Sequence, residues 1–286
     1  MPKHTDPSVR HDIVFLFDIA DGNPNGDPDA GNRPRVDPET GHGLVTDVSL
    51  KRKIRDTIGL AAQGASGYEV FVTAGTALND TLERSYTETG TKWDAKDASV
   101  ARAWLCRTYA DIRLFGAVLM TGKTPALGQI RGPLQVSFAR SVDPVTPAEH
   151  TITRIAHTTA KDAEKTGGTM GSKWTIPYGL YKATLSYSAS RGGQTGVSER
   201  DLELLFTCLV NMFDHTASAA RASMAARSIV VFTHEDAFGR APMHALVDRV
   251  SVIRRDGVDI PRQFSDYSVA VNTSSLPAGV TVETLL

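Results

Sequence analysis

The run Ile-Val-Phe-Leu-Phe-Asp-Ile-Ala at residues 13–20 constrains this chain most. A short, unbroken apolar run bounded by turn residues reads as a strand buried on both faces, with a neighbour on either side and a packing layer above and below. Turn chemistry follows at once: residues 21–43 are dominated by Gly, Pro, Asp and Asn, which predicts a long loop with defined turns. Loops of that length are more often functional than idle. The loop opens as Asp21-x-Asn23-x-Asn25-Gly26, like the first half of an EF-hand, but its twelfth position is Asn32 where a bidentate Glu is needed, and a strand precedes it. Asx-turns that stiffen the loop account for these residues better than calcium does, and no cofactor is expected.

After the loop, residues 44–58 read Leu-Val-Thr-Asp-Val-Ser-Leu-Lys-Arg-Lys-Ile-Arg-Asp-Thr-Ile. Leu50, Ile54 and Ile58 recur at helical spacing, and Thr46 or Asp47 is available as a cap. The charges run against the helix dipole: Lys51, Arg52 and Lys53 come early and Asp56 late, whereas a dipole favours acids first. Cations gathered near free N–H groups favour a phosphate or another anion. A solvated basic face is the plainer alternative.

Composition narrows the function classes. The 286 residues and 41% hydrophobic content support one large domain or two small ones with a real core. A net charge of −1 excludes a global positive field, so nucleic-acid binding has to rest on a local patch. Cys106 and Cys208 lie in apolar contexts with no CxxC pair, which predicts reduced core thiols and a cytoplasmic home. No run approaches the roughly 20 apolar residues of a membrane span, and the first residues lack a signal-peptide core.

Further along, residues 68–74 predict a second strand, and residues 78–110 a polar helical insertion anchored by Trp93, Trp104, Leu105 and Tyr109. Residues 111–119 close it. Thr121-Gly-Lys-Thr-Pro125 resembles the tail of a Walker A loop without its earlier glycine. Residues 131–141 alternate as a strand with one wet face, and residues 142–147 turn the chain. Residues 151–159 and 181–189 predict strands enclosing an excursion at 161–177. Within the excursion, Lys165 and Lys173 supply charge and Met170 and Trp174 large apolar tips. Such tips suit wedging between bases while lysines grip phosphates; alternatively they fold back on the core. Residues 198–215 predict an amphipathic helix capped by Ser198. Arg221 and Arg227 precede a buried strand at 228–233, where they could meet the basic helix. A short helix at 242–247, a strand at 248–254 and an irregular tail from Asp256 complete the reading. The sequence shows no internal repeat.

Catalytic chemistry finds candidates but no arrangement. HExxH, GxSxG and GxGxxG are absent, and the eight histidines are scattered. Asp18, Asp21, Asp27 and Asp37 crowd the first strand and loop, where metal-dependent phosphodiester hydrolysis could be housed. A non-enzyme is expected, with a metal-dependent nuclease as the alternative.

Three stretches, 15–29, 31–41 and 43–55, closely resemble the backbone subunit of the type I-C CRISPR Cascade complex, with further matches at 111–116, 171–181 and 221–235. The resemblance implies an α+β, RRM-like (ferredoxin-like) palm of the RAMP superfamily spanning 1–286, with a helical insertion at 78–119 and a projecting β-hairpin thumb at 151–189. It implies copies stacked head to tail along a CRISPR RNA, with target DNA, capping, large and small subunits as partners. The RNA-binding residues expected are Arg35, Ser49, Lys51, Arg52, Lys53, Arg55, Lys165, Met170, Lys173, Trp174, Arg221 and Arg227. The RNP aromatic pair of ordinary RRM domains is not visible, nor is the glycine-rich loop that many RAMP proteins carry near the C-terminus.

Overall fold

A computed structural model describes residues 3–92, 96–119, 127–154 and 169–286. Trp93, the Thr121–Pro125 motif and Lys165 lie outside the described residues.

In chain order, β1 (His11–Gly22) leads into a loop with the ribbon β2 (Gly26–Asp27) and β3 (Arg33–Pro34), then β4 (His42–Val45) and α1 (Asp47–Ala61). Next come α2 (Leu78–Thr89), α3 (Ala98–Thr108), α4 (Ala110–Phe115) and the ribbon of β5 (Gly116–Val118) with β6 (Gln129–Arg131). β7 (Leu134–Val136), β8 (Ala139–Pro144), β9 (Ala148–Arg154) and β10 (Thr169–Tyr187) follow. The chain ends with α5 (Ala189–Thr195), α6 (Glu199–His215), β11 (Ala225–His234), α7 (Met243–Val247), β12 (Val250–Arg254), β13 (Tyr267–Val271) and β14 (Val280–Thr284).

The main sheet is antiparallel in the order β14-β11-β1-β10-β8-β4, with β7 and β9 also paired to β10. β1 lies between β10 and β11, which explains its unbroken apolar run: each face meets its own core. Ile13, Phe15, Phe17 and Ile19 share one cluster with Leu50, Ile54 and Ile58 of α1 and Leu202, Leu205, Leu209 and Phe213 of α6. Phe17 stacks on Tyr181 at 5.5 Å and Phe15 on Phe213 at 6.1 Å. On the other face Val14 and Leu16 meet Val230, Phe232, Leu246, Val250 and Tyr267. α6 starts at Ser198 as its sequence predicts, with a capping box in which Ser198 and Asp201 satisfy each other's backbone N–H groups.

Four expectations need correction. Residues 68–74 form no strand beyond a single bridge between Glu69 and Tyr109, because the buried Asp111 carboxylate takes the N–H groups of Phe71 (2.8 Å) and Val72 (3.1 Å) that a ladder would have used. The strand expected at 131–141 is broken into the end of β6, β7 and the start of β8 by Gly132-Pro133 and Ser137-Phe138. The excursion does not extend to residue 177 as a separate loop: β10 is already extended from Thr169 and runs on into the sheet. The tail from Asp256 is not irregular throughout, since β13 pairs with β12 and β14 closes the sheet edge against β11. α5 was not foreseen either.

Candidate nucleic-acid interface

The basic helix is assembled around its own first turn. Thr46 caps it, accepting from Ser49 N at 3.2 Å, while the Thr46 N–H donates to Asn25 Oδ1 at 2.9 Å. The first loop is thereby fastened to the start of α1. The odd charge order has a local answer, because each outer cation has an acid one turn away. Lys51 pairs with Asp47 at 3.0 Å and Arg52 with Asp56 at 2.8 Å.

The two remaining cations of the run turn elsewhere. Arg55 reaches the buried Asp111 at 2.9 Å and lies over the Phe115 ring at 5.2 Å, so it braces the insertion. Lys53 turns inward and is only 6% exposed; its Nζ donates to Thr216 Oγ1 at 3.1 Å and sits 5.7 Å from the Phe213 ring centre. Burial, with Arg221 nearby as a second cause, lowers its pKa to about 8.

The loop 216–223 after α6 supplies the opposite wall. Its Ala220 carbonyl accepts from Asn23 N at 2.8 Å, and Ser223 Oγ bonds the Ala20 carbonyl. Gly22 permits this approach, since a Cβ there would come within 2.8 Å of the Ala220 oxygen. From the hairpin side, Lys173 Nζ donates to the Ala219 carbonyl at 3.0 Å. The result is a groove of about 340 Å³ lined by Asn25, Ser49, Arg52, Lys53, Thr216 and Arg221 among others. The Arg221 Nε is buried without a hydrogen-bond partner among the described residues, as is the Arg35 Nε. Arg35 pairs through Nη2 with Asp27 at 3.3 Å, within the first loop.

The outer arms of the hairpin are β9 and the first part of β10, paired from Thr169↔Arg154 to Thr175↔Ala148. Trp174 is half-buried, and Arg33 of the first loop lies over its ring at 5.2 Å. Met170 projects, 76% exposed. Thus Trp174 folds back on the first loop while Met170 does not.

Of the residues singled out from sequence, Ser49, Arg52, Lys53 and Arg221 share the groove, and Lys173 reaches the loop that forms its wall. Lys51 and Arg55 lie on the Phe115 side of α1. Arg227 does not meet the basic helix: it pairs with the buried Asp18 at 2.8 Å and lies over Phe264, which packs against the opposite core. Asn25, Thr216 and Arg33 escaped the sequence reading. Asn25 was visible only as a turn residue, and Thr216 lies just past a helix end.

The four aspartates of the first strand and loop each have surroundings of their own. Asp18 also accepts from the Tyr178 hydroxyl at 2.8 Å. Asp37 is held by Arg140 at 2.7 Å and by the N–H groups of Glu39 and Thr40, which lower its pKa to about 2. Asp27 accepts from Asp29 N, and Asp21 is exposed at a φ of 48°. Among the described residues, no three His, Cys, Asp or Glu side chains are grouped to hold a metal ion.

The family model described as CRISPR-associated protein Cas7 matches residues 9–272, nearly the whole chain. The chain belongs to the Cas7 family. A CRISPR-associated protein Cas7 of Haloferax volcanii is 28% identical over 255 residues, covering 79% of this chain and 71% of that protein. Among solved structures, a chain of a CRISPR RNA-guided surveillance complex, pre-nicking, superposes with a TM-score of 0.51 at 14% identity, covering 78% of each chain. That likeness bears on the fold. The Cas7 match takes in α1, the first loop, the hairpin and the 216–223 loop. Among the described residues of this Cas7 chain, no helix is long and apolar enough to cross a membrane.

Proposed function

We propose that this Cas7 chain is a non-catalytic backbone subunit of a type I-C Cascade complex, holding a CRISPR RNA by its phosphates and presenting it for pairing with target DNA. One observation carries the reading: Arg52, Lys53 and Arg221 converge on one groove, with the Arg221 Nε buried and unpartnered among the described residues. Cations that converge on one groove match the oxygens of a phosphate. Phosphate contacts position a strand without reading sequence, which suits a subunit that must accept any guide.

The RRM-like palm is supported by the strand order β11-β1-β10-β8, with α1 following β1 and α6 following β10 on one face. Under this reading α2–α4 form the insertion and the β9–β10 arms the thumb. Met170 at the thumb displaces a nucleotide at intervals, leaving the others free to pair. Copies stack head to tail through unlike faces, with capping, large and small subunits completing the assembly.

The test is direct. Arg52→Ala, Lys53→Ala and Arg221→Ala together should abolish copurification of short, uniform RNA and weaken binding of every RNA sequence alike. Wild-type RNA retention by the triple variant sinks the proposal. Cleavage of RNA or DNA by the purified protein with magnesium or manganese, lost on Asp27→Ala or Asp37→Ala, would move it to the nuclease class.

A further inference from the structure

At the end of the molecule away from the hairpin, α3, β6 and α5 enclose a cleft of about 550 Å³. α5 begins just past Tyr187, the last residue of β10, whereas Lys173 lies on the outer arm of that strand. Fourteen steps along the strand lead from Lys173 to Tyr187, roughly 45 Å at about 3.3 Å per residue.

Three guanidinium groups border the cleft: Arg102 and Arg107 from α3 and Arg131 from β6. In contrast to Lys51, Arg52 and Arg55 of α1, none of them makes an ion pair among the described residues; Arg102 donates only to the Leu127 carbonyl, at 3.1 Å. No Asp or Glu is among the described lining residues. Three like charges left facing one cavity, in a protein whose net charge is −1, mark a place where an anion completes the balance.

The lining tells which anion. A lone carboxylate or free phosphate is satisfied by one guanidinium fork, and a cleft this wide with arginines from two elements calls for a series of charges at intervals. Ser99, Gln129 and Gln194 add neutral donors, and among the described lining residues there is no aromatic ring on which a base could stack. We propose that this cleft is a second phosphodiester site, which grips a nucleic-acid backbone through successive phosphates and is indifferent to its bases. It stands whether or not the α1 groove holds RNA. Two sources share the chemistry: a continuation of the strand bound at that groove, and a separate duplex.

Full-length protein and the variant carrying Arg102→Gln, Arg107→Gln and Arg131→Gln are titrated with single-stranded RNA and with duplex DNA over a range of sodium chloride concentrations. The variant should lose on the order of tenfold in affinity for one of them. The slope of log K against log salt should become shallower by about 2 for single-stranded RNA or nearly 3 for the duplex, as three phosphates are released. A change on RNA alone assigns the cleft to the same strand; a change on the duplex assigns it to a second one. Unchanged affinity and slope for both ligands overturn the proposal. So does labelled polyglutamate that binds wild type and not the variant while both nucleic acids are unaffected, since the occupant is then an acidic protein. Should the triple variant melt early, Arg131→Gln alone, at an exposed position, should shift one slope by somewhat under 1, and no shift overturns the proposal equally. Arg52→Gln with Arg221→Gln serves as the parallel arm: RNA affinity lost there, with RNA and duplex affinities both unchanged in the cleft variant, defeats the cleft and spares the groove.

Discussion

Lys53 is the residue at which folding and binding pull apart. Lowering a lysine from 10.5 to about 8 corresponds to roughly 3 kcal/mol against the charged form. The sign follows from linkage. Between about 8 and 10.5 the unfolded chain holds the proton more tightly than the folded one, so the penalty is complete below the lower value and relieved as pH rises through that window. Lys53→Met should therefore melt higher than wild type at pH 7, with the gap closing towards pH 10 in a series of thermal melts. RNA binding should go the other way: affinity of wild type falls as pH climbs through 8 and the amine discharges, and Lys53→Met, already weak, shows no such fall. Asp111 has the opposite character, because everything it touches is structural. Asp111→Ala strands Arg55 and leaves the Phe71 and Val72 N–H groups without their acceptor, so a loss of about 3–5 kcal/mol is expected in denaturant titration. Neither role was readable from sequence. The basic run could be seen in the order of residues, but which of its members turned inward depended on Thr216 and Asp111, far away in the chain.

Among the elements, the hairpin invites the sharpest separation of stability from function. Met170 is exposed and Trp174 packs on Arg33 rather than on the central core. Met170→Ala should leave the melting temperature within a degree or two of wild type, as surface changes do, while altering the regular pattern of nuclease protection along bound RNA. Helices and their caps were the most legible elements: Ser198 caps α6 where the sequence puts it, and of Thr46 and Asp47, both open as caps of α1, Thr46 takes the place. Short strands were the least legible. β13 and β14 are five residues each amid Gly and Pro, and what makes them strands is the partner edge offered by β12 and β11, which no local pattern announces. The candidate site was visible in part for the same reason. Lys173, Arg52 and Arg221 could be picked out as cations, yet their meeting depended on the 216–223 loop closing over Gly22, and Arg227 was carried by its strand to the other face.

At the scale of the whole molecule, a net charge of −1 means that attraction for a polyanion is confined to the places where cations converge. With Arg52, Lys53, Lys173 and Arg221 engaged, log K for single-stranded RNA should fall against log salt with a slope of about −3 per copy. A flat dependence in the same titration would point to a protein ligand. The alternating charges on α1 also bear on solubility, since the acids that neutralise Lys51 and Arg52 lie on the same helix and need no partner to do so.

β10 is a single ribbon from Thr169 to Tyr187, with Pro177 opposite Asp21, where one pair drops out of the ladder with β1 and the register is kept on either side. Proline fixes its own φ there and gives the ribbon no pivot. The projecting arm therefore takes its bearing from the interior, in the way a pointer takes its angle from the spindle. Ten residues lie between Tyr181, stacked inside on Phe17, and Met170 outside, so a few degrees of altered twist at that stack become several ångströms at the far end. If copies stack along an RNA as proposed, the spacing they keep is set by how two aromatic rings fit together in the middle of each.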